Sequence, residues 1–379
     1  MNLPLIKNQT LQNTLASVAF LGKATWTKVT GERRKYPKVV QLPITYRCNS
    51  KCVMCNIWQM DYSNEMTVEE LSGFLQDPIF SKVEAVGING GEPSLIKELP
   101  AFAEEILKLP KIKNLNIISH GFNKKLLLAA LEEMYLKCKA KGVSFHISIS
   151  LDGYGEMHDT VRGLKVFKLT SETILEIQNN KHKYCDTMDV ACTVVTQNVE
   201  HLKELDAFAR LYTINIKYRM GIENKRIESD KLVEQFSLLY HNSLQTAKEF
   251  FHSRYMTTTN LKRKFKYFSI YYFLVSKKRK RLMGCHWQEE GITMDSRGSL
   301  YYCAVASDKI GSLREEKGID VFFSDKNITH RKSIIANNCD NCIHDYDGKP
   351  HINNVLLFLK EILFEKYFWV SYYLKAKLT

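Results

Sequence analysis

The stretch VVQLPITYRCNSKCVMC, Val39 to Cys55, decides how the rest of the chain is read. An apolar, strand-like run (Val39–Ile44) leads into Cys48, Cys52 and Cys55, separated by three and then two residues. A loop with this spacing can fold each sulfur back toward a common point, so the thiolates can wrap one small metal centre. Three ligands leave one iron of a four-iron cluster without a protein sulfur, and an open position is what separates catalytic from structural metal sites. A zinc knuckle and a redox thiol pair are the competing readings of the same cysteines.

Outward from this stretch the pattern alternates. Strand-like runs are Val39–Ile44, Val83–Asn89, Leu115–Ser119, Ser144–Leu151, Met188–Thr196 and Ile214–Met220. Helical patterns lie between them, at Val68–Gln76, Lys97–Leu107, Lys124–Lys139, Leu169–Asn179 and Val199–Leu211. Thr67 and Glu70 read as a capping box for the first helix. Strands alternating with helices predict an α/β fold with a parallel sheet and helical crossovers. Such a sheet brings its strand C-terminal ends to one rim, where ligand sites gather. The cysteine loop follows the first strand, Gly90 ends the second and Asp152 follows the fourth.

Two further motifs sit on that rim. Gly90-Gly91-Glu92-Pro93 offers two glycines whose backbone can approach a ligand closely. Ser148-Ile149-Ser150-Leu151-Asp152-Gly153 is followed by His158-Asp159 and Arg162-Gly163. With the three cysteines, these motifs resemble the radical S-adenosylmethionine (radical SAM) superfamily. The resemblance implies a partial (β/α)6 TIM-type barrel and a [4Fe-4S] cluster on Cys48, Cys52 and Cys55. S-adenosylmethionine would chelate the open iron, and electron transfer would cleave it to methionine and a 5′-deoxyadenosyl radical that abstracts a substrate hydrogen. Gly90, Gly91, Glu92 and Pro93 would contact the methionine moiety, and Ser150 and Arg162 its carboxylate or ribose. An Arg fork suits a carboxylate. Asp152, His158 and Asp159 read as structural. The residue before the last cluster cysteine is often aromatic in this superfamily and packs near the adenine; here Met54 fills that place.

Cysteines return near the C-terminal end as Cys285, Cys303, Cys339 and Cys342. Ile292–Met294 and Leu300–Tyr302 read as a hairpin around the turn Asp295-Ser296-Arg297-Gly298. Four thiolates can close a cluster, and a four-cysteine zinc site is the alternative. The pattern resembles the twitch/SPASM-like domains that follow some radical SAM barrels, and implies one auxiliary [4Fe-4S] cluster for electron transfer. Cys138, Cys185 and Cys192 lie outside both sets. Cys192 shares parity with Thr196 on the fifth strand, which would turn it into the barrel lumen as a candidate hydrogen-atom donor.

Composition sets the bounds. The 379 residues are 45% apolar and 25% charged, ordinary for a globular protein. Ten cysteines at motif spacing, with no convincing signal peptide, point to a cytoplasmic setting. The net charge of +13 is concentrated in Lys262–Arg281, which holds no acid. Its aromatic middle, Tyr267–Val275, is too short to span a bilayer. With the aromatic tail (Phe364, Tyr367, Phe368, Trp369) it offers peripheral membrane contact, against the plainer reading of a solvated helix face with aromatics packed inward.

The expected organisation is an N-terminal helix and linker over 1–38, a barrel over 39–221 and a helical connector with the basic patch over 222–282. A small cysteine-rich domain over 283–345 and an amphipathic helix over 346–379 complete it. The expected function is oxidation or epimerisation of a small-molecule or carbohydrate substrate, fed by a reductant such as flavodoxin or ferredoxin. A maturase acting on a ribosomal peptide or protein is the first alternative, and only some 38 residues precede the barrel, which argues mildly against a fused recognition domain. A zinc-stabilised nucleic-acid-binding protein is the second, and it leaves the glycine-rich and Ser-Leu-Asp-Gly motifs without a role.

Overall fold

The computed structural model describes residues 35–364, apart from 241, 278 and 345–347, together with positions 19, 22 and 24. Apart from those three positions, the expected N-terminal helix lies outside the described residues, as does the tail beyond 364 with Tyr367, Phe368 and Trp369. The chain divides into two compact units: Thr30–Leu244 with Trp287–Asn338, and Met1–Val29 with Gln245–His286 and Cys339–Thr379.

The first unit is built on six parallel strands: β1 (Val39–Thr45), β2 (Ala85–Gly90), β3 (Asn114–Ser119), β4 (Ser144–Ser150), β5 (Thr187–Val194) and β6 (Ile216–Met220). Helices connect them: α1 (Val68–Leu75), α2 (Leu99–Ile106), α3 (Lys124–Lys141), α4 (Glu156–Arg162), α5 (Phe167–Asn179) and α6 (Leu202–Leu211). The predicted capping box is present, with Thr67 accepting from the Glu70 amide and the Glu70 side chain accepting from the Thr67 amide. This is the parallel-strand architecture of a partial TIM-type barrel. Strand alternation gives it two faces. Leu42, Ile88, Ile117, Ile147 and Val190 are fully buried on one, each stabilising the fold by about 2 kcal/mol. Polar side chains such as Ser148, Asp189 and Thr193 occupy the other.

The expected hairpin forms as β7 (Gly291–Met294) and β8 (Ser299–Tyr301). It does not stand apart. β7 pairs in parallel with the open edge of β1, and β9 (Gly311–Ser312) follows β8, giving the order β6-β5-β4-β3-β2-β1-β7-β8-β9. The boundaries 283–345 are therefore corrected: Trp287–Asn338 belongs with the sheet, because β1 offers an unpaired edge, and the chain from Cys339 belongs with the second unit.

The second unit contains α7 (Leu244–Thr257), α8 (Leu261–Val275) and a helix over 352–364. Asn260 caps α8 by accepting from the Arg263 amide. The basic window packs its aromatics inward: Phe265 and Phe268 lie with ring centroids 5.1 and 5.3 Å from that of Phe358, and Phe268 5.4 Å from Tyr255. Among the described residues, no helix is long and apolar enough to cross a membrane.

Candidate active site

The cysteine loop is fixed at its root and its tip. At the root, β1 and β2 keep register to Pro43↔Asn89 and then slip, so that Thr45 meets Gly90. Pro43 has no N–H for the ladder, and Gly90 takes φ +126°, where a Cβ would stand 2.4 Å from the Thr45 carbonyl oxygen. Glu65 accepts from the Tyr46 amide and, at 2.7 Å, from Thr45 Oγ1. At the tip, the amides of Lys51 and Val53 donate to the carbonyls of Arg162 and Val161, each at 3.0 Å. Gly163 ends α4 in the left-handed region, and a Cβ there would lie 2.5 Å from the Lys51 carbonyl oxygen. The Arg162-Gly163 pair thus seats the loop against the end of a helix.

Cys52 is buried and Cys48 and Cys55 are half-buried. Burial pushes the Cys48 and Cys55 thiols up to about 12. They keep their protons until cations displace them, which is how thiols become metal ligands. Among the described residues, no three His, Cys, Asp or Glu side chains converge on one ion. A four-iron cluster asks for something else, because each thiolate binds its own iron.

The glycine motif packs backbone against backbone. Gly91 and Glu92 donate to the carbonyls of Thr45 and Arg47 at 2.7 and 2.9 Å, and a Gly91 Cβ would lie 2.1 Å from the Arg47 carbonyl oxygen. The close approach is to the chain entering the cysteine loop. Pro93 opens a short 3-10 turn. The Glu92 carboxylate is buried and accepts from the amides of Ser94 (3.0 Å) and His120 (2.9 Å) and from Ser119 Oγ (2.7 Å). His120, which the motifs did not flag, closes the circuit. Its Nδ1 accepts from the Phe122 amide at 3.0 Å, so Nε2 carries the proton, donated to Asn49 Oδ1 at 2.7 Å. Burial lowers its pKa to about 4 against the pull of Glu92, so the ring is neutral near pH 7. Its place at the end of the third strand is the signal that could have found it.

Arg162 is buried on the far side of the loop. Its Nη2 lies 2.5 Å from Asp152 Oδ2, and Nη1 donates to Cys52 Sγ at 3.4 Å. Ser50 Oγ lies 3.1 Å from the same sulfur. Asp152 also accepts from the Thr193 amide at 2.7 Å, and its own amide donates to His158 Nδ1 at 3.1 Å. Asp159 accepts from the amides of Val166 and Phe167 at 2.7 Å each. These three are structural in this geometry. Ser150 ends β4, and Met54 packs beside Val161, Val195 and Phe236.

Cys192 is corrected. It pairs with Tyr218, whose hydroxyl donates to Asp206 on α6 at 2.6 Å, so both face the helices and not the lumen. The polar face instead carries Asp189, which accepts from Ser148 Oγ at 2.7 Å and pairs with His146 at 2.9 Å and with Lys217. Burial works to raise its pKa, but His146 and Lys217 hold the carboxyl below the usual range. Of the C-terminal cysteines, Cys303 lies in the sheet unit, its sulfur accepting from the Ala306 amide at 3.4 Å. Cys285, Cys339 and Cys342 lie in the second unit.

Among the described residues, the buried polar atoms without a hydrogen-bond partner include Asn89 Oδ1, Ser94 Oγ and Arg162 Nε. An acceptor, a hydroxyl and a cationic donor suit a zwitterion such as S-adenosylmethionine, and three clustered thiols suit an iron–sulfur centre.

Residues 42–209 match the Radical SAM superfamily. Fe-coproporphyrin III synthase of Methanosarcina barkeri is 33% identical over 133 residues, 34% of this chain and 30% of that protein. GTP 3′,8-cyclase of Aquifex aeolicus is 34% identical over 107 residues, 26% of this chain and 33% of that one. Pre-heme d1 synthase of Dinoroseobacter shibae is 26% identical over 243 residues, 60% and 56% of the two chains. The matches thus span about a third of the first two relatives and just over half of the third. Among solved structures, Streptococcus suis SuiB bound to S-adenosylmethionine superposes with TM-score 0.58 at 17% identity, covering 86% of this chain and 73% of its own. Histidine-tagged anSMEcpe with bound AdoMet gives 0.56 at 16%, covering 86% and 96%. At such identities the likeness is one of fold. The sequence match leads to one conclusion, limited to the stretch it covers: residues 42–209 are a radical SAM domain.

Proposed function

We propose that this chain modifies a peptide or protein by hydrogen abstraction coupled to oxidation. An auxiliary [4Fe-4S] cluster on the C-terminal cysteines would take up the second electron. The observation that carries the substrate class is the fold likeness, well beyond residues 42–209, to structures described with the precursor peptide SuiA, over 86% of the chain, and, for anSMEcpe, with Cp18Cys peptide, over 78%. When bound, the cluster on Cys48, Cys52 and Cys55 supplies the electron that splits S-adenosylmethionine. The protein's own part is placement. α4 and Glu65 hold the cysteine loop, Glu92 and His120 tie the second and third strand ends to it, and Arg162 sets a positive charge beside Cys52. Gly90, Gly91, Pro93, Ser150 and Met54 shape the methionine and adenosine ends of the pocket. An external one-electron reductant, flavodoxin or ferredoxin, belongs to this reading.

Small-molecule oxidation or epimerisation is the second reading. It is favoured by the curated relatives, a porphyrin synthase and GTP cyclases, whose identity reaches 33–34% across short stretches. The test is anaerobic reconstitution with S-adenosylmethionine and reductant, in the presence of peptides encoded beside the gene. A product lighter by two hydrogens, with deuterium from labelled peptide appearing in 5′-deoxyadenosine, supports the first reading. Unaltered peptides, with label transfer only from a small carbinol substrate, would replace it with the second.

A further inference from the structure

Arg281 closes the basic window, yet it is not a surface charge. It is 6% exposed, while Lys277, Arg279 and Lys280 beside it are exposed. Its guanidinium meets four backbone carbonyls. Nε donates to Met283 (2.9 Å), Nη2 to Gly284 (3.0 Å), and Nη1 to Cys342 (3.1 Å) and His344 (2.6 Å). Its amide donates to the Asp340 carbonyl at 2.7 Å. One residue therefore ties the segment entering Cys285 to the segment holding Cys339 and Cys342.

Two glycines complete the closure. A Cβ at Gly348 would stand 2.3 Å from the Cys285 nitrogen, and one at Gly284 would stand 2.1 Å from the Lys349 carbonyl oxygen. The strands of chain touch backbone to backbone there. Asn354 adds a bond from Nδ2 to the Leu282 carbonyl at 3.0 Å. The guanidinium is suited to this place because its rigid fork carries five N–H groups in one plane. An ammonium offers three donors at one point and cannot span the same carbonyls.

We infer that Arg281 is a positioning residue: it brings Cys285, Cys339 and Cys342 together before metal arrives, and its charge tunes the centre they hold. The inference rests on the reading that these cysteines bind metal, but not on the metal being an iron–sulfur cluster. A fixed positive charge near a cluster favours its more negative, reduced state, so it raises the reduction potential.

The test uses the full chain with Cys48→Ala/Cys52→Ala/Cys55→Ala, so that only the C-terminal cysteines remain as a cluster site. Into this parent go Arg281→Gln and Arg281→Lys. Three quantities are read: iron and zinc per chain, amide hydrogen exchange of 279–285 and 338–344 in the metal-free protein, and the midpoint potential by EPR-monitored titration. Arg281→Gln is expected to lower metal content at least fivefold and to speed exchange in both segments at least tenfold. In the fraction still loaded, its potential moves negative. Arg281→Lys keeps the charge without the fork, so metal and protection fall while the potential stays near the parent's. Retention of iron at Cys48, Cys52 and Cys55 in an otherwise unaltered Arg281→Gln chain reports that the fold survives. Unchanged metal content and exchange in Arg281→Gln would overturn the inference while leaving the auxiliary cluster in place. Zinc in the parent would remove the electron relay but keep the inference, provided Arg281→Gln still loses that zinc. A parent that binds neither metal overturns both.

Discussion

The two sets of cysteines are held in opposite ways. Cys48, Cys52 and Cys55 share one short loop whose root and tip are pinned by strand and helix ends. Cys285 and Cys339 are separated by a long run of chain and are approached through a guanidinium that belongs to neither motif. Loop closure grows slowly with length, about 0.6 kcal/mol per doubling, so the longer connection costs only about 2 kcal/mol more. Four hydrogen bonds from a charged donor, at about 1.5–3 kcal/mol each, exceed that. A metal site closed locally announces itself by spacing. One closed at long range depends on a residue the spacing does not contain.

The sharpest way to break this comparison is to remove the local set. Cys48→Ala/Cys52→Ala/Cys55→Ala should abolish 5′-deoxyadenosine formation and lower the iron content of the reconstituted protein from about eight to about four. Loss of all iron would mean that the two sets are not independent.

Next in size is the charge beside the loop. Asp152→Asn leaves the Arg162 guanidinium buried without its counter-charge, and breaking a buried pair costs about 3–5 kcal/mol. Urea denaturation of the metal-free protein measures it. A cost below about 1 kcal/mol would show that Cys52 and solvent already satisfy Arg162, and that the loop is less dependent on α4 than its hydrogen bonds imply.

A pH series sharpens the same point. Neutral His120 links Glu92 to Asn49, and its folded pKa lies near 4, below the unfolded value of 6.5. The unfolded chain therefore binds the extra proton first as pH falls. The stabilisation is complete above about pH 6.5 and is lost toward pH 4, with a slope of up to about 1.4 kcal/mol per pH unit. His120→Asn should flatten that slope in urea denaturation of the metal-free protein. An unchanged slope assigns it to other groups.

The sheet was legible because its signal is periodic. All six strands and the five longer crossover helices were placed within a few residues, since alternation and amphipathicity are local properties. Glu156–Arg162 was missed because seven polar-rich residues carry little helical signal, although they supply the platform for the cysteine loop. The association of β7 with β1 was missed because pairing partners depend on which edge stays open. Gly90 and Gly91 were legible as a close approach, but what they approach is backbone from another strand, which no spacing encodes. Arg281 read as one more charge in a basic run, because burial is a tertiary fact.

The smallest effect concerns Cys192, where parity with Thr196 misled. β5 ends at Val194, so Thr196 lies beyond the strand and its parity carries no information about the sheet face. Within the strand Cys192 alternates with Thr193, whose hydroxyl accepts from Arg219 Nε at 3.2 Å on the polar face. A thiol on the helix side, fully buried and raised in pKa by that burial, has no path to a substrate radical. Cys192→Ala should therefore leave turnover within about twofold of the parent and cost about 1 kcal/mol of stability, the usual size for a small core change. If product formation were lost while 5′-deoxyadenosine persisted, the thiol would have to reach the lumen. The alternation that sorts apolar from polar side chains across this sheet would then fail at β5.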